Sequence, residues 1–148
     1  KPELMQGALD AYLEHIESYA KVDKAYSQRG LKILVEPLYS VEAQKRVDFS
    51  LITSIEMAKR HSWENFQENP QATLVYYQPP VISYELRGKM EIHMDDIYHQ
   101  FVNAQHDVYH APNKERWAER PAYVFRIEEI YDNSVSKNGF GRQMEYPY

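Results

Sequence analysis

The sequence predicts a mainly β fold, a small antiparallel β barrel with peripheral helices packed on its rim. About six segments are rich in β-prone residues, and turns join most of them. The few helical segments do not alternate regularly with these strands, which disfavours a doubly wound parallel sheet. The content of 13 Tyr, 5 Phe and 2 Trp also favours strands and amphipathic surfaces. No linker is long enough to divide the chain, so residues 1–148 are predicted to form a single domain.

A helix is predicted over residues 3–17. Its apolar residues recur at spacings of four and three, while most acidic residues lie elsewhere on the helix. The apolar positions are Met5, Leu9, Tyr12 and Ile16. Pro2 suits the first turn, where a missing N–H group costs nothing.

A β-hairpin is predicted to follow this helix. Residues 27–30 read Ser-Gln-Arg-Gly and have the composition of a turn, so residues 18–26 and 31–41 are predicted to be paired strands. Pro37 has no N–H to donate and therefore predicts a bulge, a break or an exposed edge in the second strand. Residues 42–45 are predicted to be the next turn.

The most informative stretch comes next, where an extended run over residues 46–54 leads into a helix predicted from residue 55 to residue 69. Two hydroxyl residues, Thr53 and Ser54, stand at the junction, and a Lys-Arg-His cluster follows at residues 59–61. Hydroxyls, cations and the free N–H groups of a helix start are the components of a phosphate-binding site. An ordinary helix cap followed by a solvated basic face is the other interpretation of the same residues.

The second half of the chain is predicted to contain three strands and one main helix. The strands cover residues 71–78, 81–92 and 122–131, the helix covers residues 95–110, and a short helical turn covers residues 114–120. Gly88, inside the second of these strands, predicts a bulge or a close approach of another backbone.

Composition excludes several classes of protein. The absence of Cys excludes disulfides, thiolate nucleophiles, Cys-ligated zinc and iron–sulfur clusters. A formal net charge of −5, with no basic tail, argues against nucleic-acid binding but leaves room for a local anion site. The apolar runs are far shorter than the roughly 20 residues that a membrane span needs. No signal-type segment opens the sequence, and a cytoplasmic location is predicted.

Five segments, taken in order, resemble the strands and the helix end of one known family. They are residues 33–39 with the embedded Pro37, residues 46–53, residues 63–74 with a helix ending in Asn-Pro, residues 85–91 with a central Gly, and residues 123–127. Their order and spacing over nearly the whole chain resemble the FMN-binding split-barrel superfamily, the group around pyridoxamine 5′-phosphate oxidase that includes general flavin-nucleotide-binding proteins. The resemblance implies a six-stranded antiparallel split barrel.

The resemblance also implies a homodimer that holds FMN at its interface, with the phosphate near the junction of the third strand and the helix. The cofactor-binding residues that it implies are Thr53, Ser54, Lys59, Arg60, His61, Ser62 and Tyr76. Thr53 and Ser54 would supply hydroxyls, and the Lys-Arg-His cluster would supply positive charge. Many members have Ser-Arg-Lys where this chain reads Arg-His-Ser at residues 60–62, so Lys59 or Arg60 would replace the usual lysine.

The implied function is that of an FMN-dependent oxidoreductase acting on an unidentified small molecule, with catalytic residues that the sequence does not reveal. The alternatives are a non-catalytic flavin- or haem-binding module on the same scaffold, with His61 as the haem candidate, and a structural dimer without a cofactor. Of the neighbouring Tyr76 and Tyr77, strand alternation turns only one towards a given ligand.

The histidines of the helix at residues 95–110 form a second pattern. His106 and His110 have the i, i+4 spacing of a metal-ligand pair, and His99 precedes them by one or two turns. These residues and Asn103 lie opposite the apolar side of the helix. A solvated helix surface accounts for this pattern, so no metal site is predicted.

Overall fold

The computed structural model describes residues 1–20, 23 and 25–145, and these residues fold into two compact units. The first, called here the helical unit, comprises residues 1–48, 54–57 and 93–123. The second, called the sheet unit, comprises residues 49–53, 58–92 and the residues from 124 onward. The prediction of a single domain is not tested by this division and stays a prediction.

Helices and strands have the following bounds. The α-helices are α1 (Pro2–Glu17), α2 (Tyr26–Tyr39), α3 (Ala43–Arg46), α4 (His61–Glu68) and α5 (Ile97–Tyr109), and a 3-10 helix covers Lys114–Glu119. The strands are β1 (Leu51–Ile55), β2 (Gln71–Gln78), β3 (Ile82–His93), β4 (Ala122–Asp132) and β5 (Arg142–Met144). The predictions of α1, α5, the short helical turn, β2, β3 and β4 are confirmed.

The core of the helical unit lies where α1 packs on α5. Its buried residues are Leu9, Tyr12, Ile16, Ala104 and Val108. Three of them come from the apolar positions that predicted α1, and two come from the apolar side of α5. Burying a large apolar side chain contributes roughly 1.5–3 kcal/mol, so this seam is a main source of stability for the unit.

The predicted hairpin is wrong, because residues 26–39 form α2 instead of a turn and a strand. Residues 21, 22 and 24 of the first predicted strand lie outside the described residues. Pro37 falls near the end of α2, which stops two residues later at Tyr39, so it neither bulges a strand nor marks a sheet edge. Pro37 has no N–H to donate to the Ile33 carbonyl, which weakens the last turn of α2 and agrees with the end of the helix at Tyr39.

The packing of α2 on the end of α5 explains why this segment is helical. The Tyr26 hydroxyl donates to the Asp107 carbonyl at 2.7 Å, and the Ser27 hydroxyl donates to the Tyr109 carbonyl at 2.7 Å. At Gly30 the two backbones are so close that an added Cβ would lie 2.0 Å from the Val108 oxygen. Gly30 therefore serves helix packing and is not a turn residue.

Replacing Gly30 with alanine is expected to destabilise the protein by about 1–3 kcal/mol, because the new methyl group overlaps backbone that must shift. Chemical denaturation monitored by circular dichroism measures this change. Gly7→Ala in α1 is the matched control, since nothing lies within 4 Å of its added Cβ, and it is expected to stabilise by about 0.5–1 kcal/mol. A Gly30→Ala variant as stable as the unsubstituted protein would contradict the close approach.

The strands form one sheet in the order β1-β4-β3-β2, and β5 pairs with β4. β2 and β3 are antiparallel, with Gln71 opposite Lys89 and Gln78 opposite Ile82. An added Cβ at Gly88 would lie 2.0 Å from the Arg126 oxygen, which confirms the predicted close backbone approach. The coarse prediction of an antiparallel sheet with helices is thus confirmed. The described residues contain five strands and not six, because α2 replaces the second strand of the predicted hairpin, no strand forms in the described residues of its first strand, and β5 lies in the tail, where no strand was predicted.

The third predicted strand and the helix after it are shifted along the chain. Residues 43–46 are helical, the strand begins only at Leu51, and it continues through Ile55. Hydrogen bonds fix these bounds: the Ser50 carbonyl accepts from Ile127, and the Glu56 N–H donates to the Pro121 carbonyl. The helix predicted from residue 55 therefore begins at His61.

None of the described helices combines the length and the hydropathy needed to cross a membrane. The cytoplasmic location stays a prediction.

Candidate functional site

The site predicted from the sequence lies at the start of α4, in the sheet unit. Arg60 is the N-cap residue, with extended backbone angles (φ −106°, ψ −150°) and no side-chain cap. Its carbonyl accepts the N–H of Glu64 at 3.1 Å, which is the first bond of the helix. The N–H groups of His61, Ser62 and Trp63 precede that bond, so the helix itself offers them no acceptor. Such groups, together with the helix dipole, attract anions.

Lys59 is placed close to this helix start by an unusual backbone conformation. Its φ is +47°, in the left-handed region that side chains other than glycine seldom adopt. Its ammonium group lies 5.4 Å from the centre of the Trp63 ring. A cation–π contact of this kind at an exposed site contributes about 0.5–1 kcal/mol. The backbone and the ring contact thus direct a positive charge towards the first turn of α4.

Four of the predicted cofactor-binding residues are brought together here. Lys59, Arg60, His61 and Ser62 are consecutive, all are exposed, and they surround the first turn of α4. This segment carries two permanent cations, an imidazole and a hydroxyl next to the backbone N–H donors of the first turn. A phosphate group is an anion of the right chemistry, since charge-assisted hydrogen bonds to it are strong.

Thr53 and Ser54 do not stand at a helix start, because β1 continues past them. Both are exposed on β1. Thr53 belongs to the sheet unit, and Ser54 belongs to the helical unit. The placement of their hydroxyls at the beginning of the helix was therefore wrong, and Ser62 is the hydroxyl residue of the first turn.

Tyr76 lies on β2, opposite Tyr84 of β3. Half of its surface is exposed, and so is 63% of the surface of Tyr77. Successive residues of a strand point to opposite faces, so β2 presents aromatic surface on both faces at this point. β2 and β1 are the first and last strands of the sheet order.

A buried polar cluster around Asp107, in the helical unit, was missed by sequence reasoning. Asp107 is fully buried, Arg120 is 4% exposed, and the guanidinium nitrogens lie 3.2–3.3 Å from the carboxylate oxygens. The other donors to the carboxylate are the Trp117 indole at 2.8 Å, the Asn113 N–H at 2.9 Å and Nδ1 of His106 at 2.9 Å. These residues, called here the Asp107 cluster, attach the segment after α5 to the last turn of that helix.

The hydrogen bonds of the Asp107 cluster determine the protonation state of the Asp107 carboxyl group. Burial by itself raises the pKa of the Asp107 carboxyl. The hydrogen bonds from His106, Trp117, Asn113 and Arg120 outweigh burial, and the pKa of Asp107 is lowered from the ordinary 3.8. The carboxyl is therefore an anion at neutral pH, paired with the Arg120 cation.

The solvated helix surface predicted for α5 is wrong for His99 and Asn103, whereas His110 is exposed. His99 is 5% exposed and Asn103 is fully buried. A ring nitrogen of His99 lies 2.9 Å from the Trp117 carbonyl, and the Asn103 amide donates to the carbonyls of His99 and Arg120 at 3.0 Å. The burial of Asp107 had a signal in the sequence, because this residue stands between the apolar positions Ala104 and Val108, but its pairing with Arg120 had none.

A second buried pair follows β1. The Tyr123 hydroxyl donates to a carboxylate oxygen of Glu56 at 2.6 Å, and both side chains are more than nine-tenths buried. Burial, together with the hydrogen bond to this carboxylate, raises the pKa of Tyr123 well above its usual range. The pair holds the end of β1 against the beginning of β4.

Comparison with solved structures shows which fold this chain shares. HupZ from Group A Streptococcus superposes with a TM-score of 0.53 over 67% of this chain and 71% of that chain, at 13% identity. The chain shares the fold of HupZ, an antiparallel sheet with helices that is consistent with a split barrel. HupZ is a member of the FMN-binding split-barrel superfamily. At this identity the likeness shows the fold alone and no ligand or activity.

Two other split-barrel structures show weaker likeness. A protein from Lactobacillus delbrueckii assigned as a pyridoxamine 5′-phosphate oxidase is 23% identical, with a TM-score of 0.45 over 57% of this chain and 64% of its own. An F420 reductase is 24% identical, with a TM-score of 0.42 over 57% of this chain and 71% of its own. No family model and no curated protein matches this sequence.

Proposed function

We propose that this split barrel binds FMN as a homodimer and is an oxidoreductase of the pyridoxamine 5′-phosphate oxidase-like kind. The observation that carries the proposal is the group Lys59–Ser62, which surrounds the start of α4 with cations and donors. The sequence predicts that this group holds the FMN phosphate, and the exposure of all four residues at the start of α4 supports that role.

The phosphate would be bound by both charge and hydrogen bonds. Lys59 and Arg60 supply permanent positive charge, and the N–H groups of His61 and Ser62 add the helix-start donors. The Ser62 hydroxyl adds a neutral donor. Thr53 stays in the proposal as an exposed strand hydroxyl of the same unit. Ser54 lies in the other unit, and nothing on the described residues adds to its predicted role.

The homodimer is supported by the exposed surface of β2. Val75, Tyr76 and Tyr77 are 64%, 50% and 63% exposed, although all three are apolar or aromatic. β2 is also an outer strand of the sheet. Val75 and Tyr77 share one face of the strand and Tyr76 lies on the other. Exposed apolar surface on an outer strand marks an interaction site. A second copy of the chain would cover it, and Tyr76 would then contact the flavin ring at the interface.

In the proposed enzyme the redox chemistry is supplied by the flavin when it is bound. The contribution of this chain is to hold the phosphate at Lys59–Ser62 and to orient the ring by contact with Tyr76. Covering β2 in a dimer would exclude water from the ring. The substrate is a small molecule whose identity depends on residues that line the completed dimer pocket.

The test is the visible spectrum and mass of the untagged, purified protein. FMN binding is expected to give the two absorption bands of oxidised flavin, and light scattering is expected to give the mass of a dimer. Bleaching of the bands by NAD(P)H would favour an enzyme over flavin storage. A Soret band would indicate that the bound cofactor is haem and not FMN. Failure of added FMN to bind would overturn the proposal.

A further inference from the structure

Two histidines at the end of α5 lie side by side on one surface of the helical unit. His106 is in the last turn, and His110 is the C-cap residue, whose N–H donates to the His106 carbonyl at 3.1 Å. The ring centres are 4.6 Å apart, and the ring planes are tilted by 34°. The i, i+4 spacing that the sequence suggested is thus realised as a pair of adjacent imidazoles.

The Asp107 cluster fixes the orientation of one of these rings. Nδ1 of His106 lies 2.9 Å from a carboxylate oxygen of Asp107, which is itself fully buried and held by Trp117 and Asn113. A guanidinium nitrogen of Arg120 also lies 3.2 Å from Nδ1, but the contact with the carboxylate is shorter, and a carboxylate only accepts hydrogen bonds. We therefore assign the proton to Nδ1, so that the Arg120 N–H groups donate to Asp107 and a lone pair remains on Nε2 of His106. A histidine that donates one ring N–H to a carboxylate is the usual arrangement of a metal-ligating imidazole.

The remaining ring nitrogens are available. The His106 side chain is 24% exposed, and His110 is exposed. No residue in the described part of the chain hydrogen-bonds to Nε2 of His106 or to a ring nitrogen of His110. Both rings also lie at the carboxyl end of α5, where the helix dipole favours positive charge.

The surrounding charges do not oppose a cation strongly. Arg120 is a permanent cation beside this pair, with a guanidinium nitrogen 3.2 Å from Nδ1 of His106. Its charge is balanced by the Asp107 carboxylate in direct contact with it. Within the described ranges, no group of three or more His, Asp and Glu side chains is placed to hold a metal. A metal here would therefore have two protein ligands and open positions filled by water.

We propose that His106 and His110 form a binding site for a divalent transition metal of the imidazole-preferring class. Zn²⁺, Ni²⁺ and Cu²⁺ belong to this class, and Cu²⁺ is expected to bind most tightly. Ca²⁺ and Mg²⁺ prefer oxygen ligands and are expected not to bind. The site is separate from Lys59–Ser62 in the chain and is independent of the proposed flavin function.

The probe is Cu²⁺ added to the untagged chain, followed by isothermal titration calorimetry and electron paramagnetic resonance. The unsubstituted chain is expected to bind one equivalent and to show coupling of the metal to two ring nitrogens. His106→Gln and His110→Gln are each expected to lose this two-nitrogen signal. Of these, His110→Gln leaves the Asp107 cluster untouched and therefore tests the site without disturbing the fold.

His61→Gln is the control, because it removes an exposed histidine from the other unit. It is expected to leave the stoichiometry and the nitrogen coupling unchanged. The proposal is overturned if His110→Gln retains the two-nitrogen signal, if His61→Gln abolishes it, or if the unsubstituted chain binds no equivalent of Cu²⁺.

Discussion

Replacing Lys59 and Arg60 together with alanine is expected to weaken FMN binding by about a hundredfold. Each residue would contribute a charge-assisted hydrogen bond to the phosphate, and losing one such bond costs roughly 1.5–3 kcal/mol, or about tenfold in affinity or more. Fluorescence quenching of the flavin on titration with protein measures the change. The variant should fold normally, because both side chains are exposed.

The matched control is the other Lys-Arg pair of the chain. Lys45 and Arg46 are also consecutive and exposed, and the Lys45 ammonium group forms a surface ion pair with Glu42. Replacing both with alanine changes the net charge by the same amount and is expected to leave FMN affinity within a factor of two or so, since surface ion pairs contribute little. Equal losses in the two double variants would indicate a general charge effect.

Riboflavin, which lacks the phosphate, sharpens this experiment. If Lys59 and Arg60 contact the phosphate, their removal weakens FMN binding but leaves riboflavin affinity nearly unchanged. The difference between the two ligands then isolates the phosphate contribution, as in a double-mutant cycle. An equal loss for FMN and riboflavin would contradict the placement of the phosphate at the start of α4.

Elements with a strong and regular pattern could be predicted from the sequence. α1 and α5 were found by their apolar spacing, and β2, β3 and β4 by runs of β-prone residues between breakers. α2 could not be found in this way, because Gly30 looks like a turn residue in the sequence. Gly30 instead allows the backbone of α2 to contact Val108, almost eighty positions later in the sequence. Only the folded chain shows such a contact.

The candidate site could be predicted only where its residues are neighbours in the sequence. Lys59–Ser62 are consecutive, so their grouping needs no long-range information. Thr53 and Ser54 were misplaced because the end of β1 depends on hydrogen bonds to β4, far along the chain. The Asp107 cluster was missed because Asp107 and Arg120 are thirteen residues apart and no local periodicity joins an aspartate to a distant arginine.

Replacing Asp107 with asparagine is expected to destabilise the protein by about 3–5 kcal/mol. The substitution keeps the size of the side chain but leaves the buried Arg120 cation without its counter-charge, which is the costly way to break a buried ion pair. Urea denaturation measures the loss. Removing both charges, as in Asp107→Leu with Arg120→Met, is expected to recover part of it, because no unpaired charge then remains buried.

An exposed ion pair serves as the control for this variant. Arg126 donates two hydrogen bonds to Glu91 at 2.9 and 3.1 Å, with both side chains more than one-third exposed. Glu91→Gln is therefore expected to cost less than about 1 kcal/mol, because water solvates the remaining charge. A similar loss of unfolding free energy in Asp107→Asn and Glu91→Gln would show that the ion pair of Asp107 and Arg120 is not shielded from water.

The same carboxylate gives the stability of the protein a defined pH dependence. The pKa of Asp107 is lower in the folded chain than its ordinary value of 3.8, so the unfolded chain binds its proton first as the pH falls. The stabilisation by Asp107 is thus complete above pH 3.8 and is lost as the pH drops through the lowered folded value. Asp107→Asn removes this part of the acid dependence. The difference in unfolding free energy between the unsubstituted protein and Asp107→Asn should therefore become smaller below pH 3.8. A difference that stays constant at acidic pH would contradict a lowered Asp107 pKa.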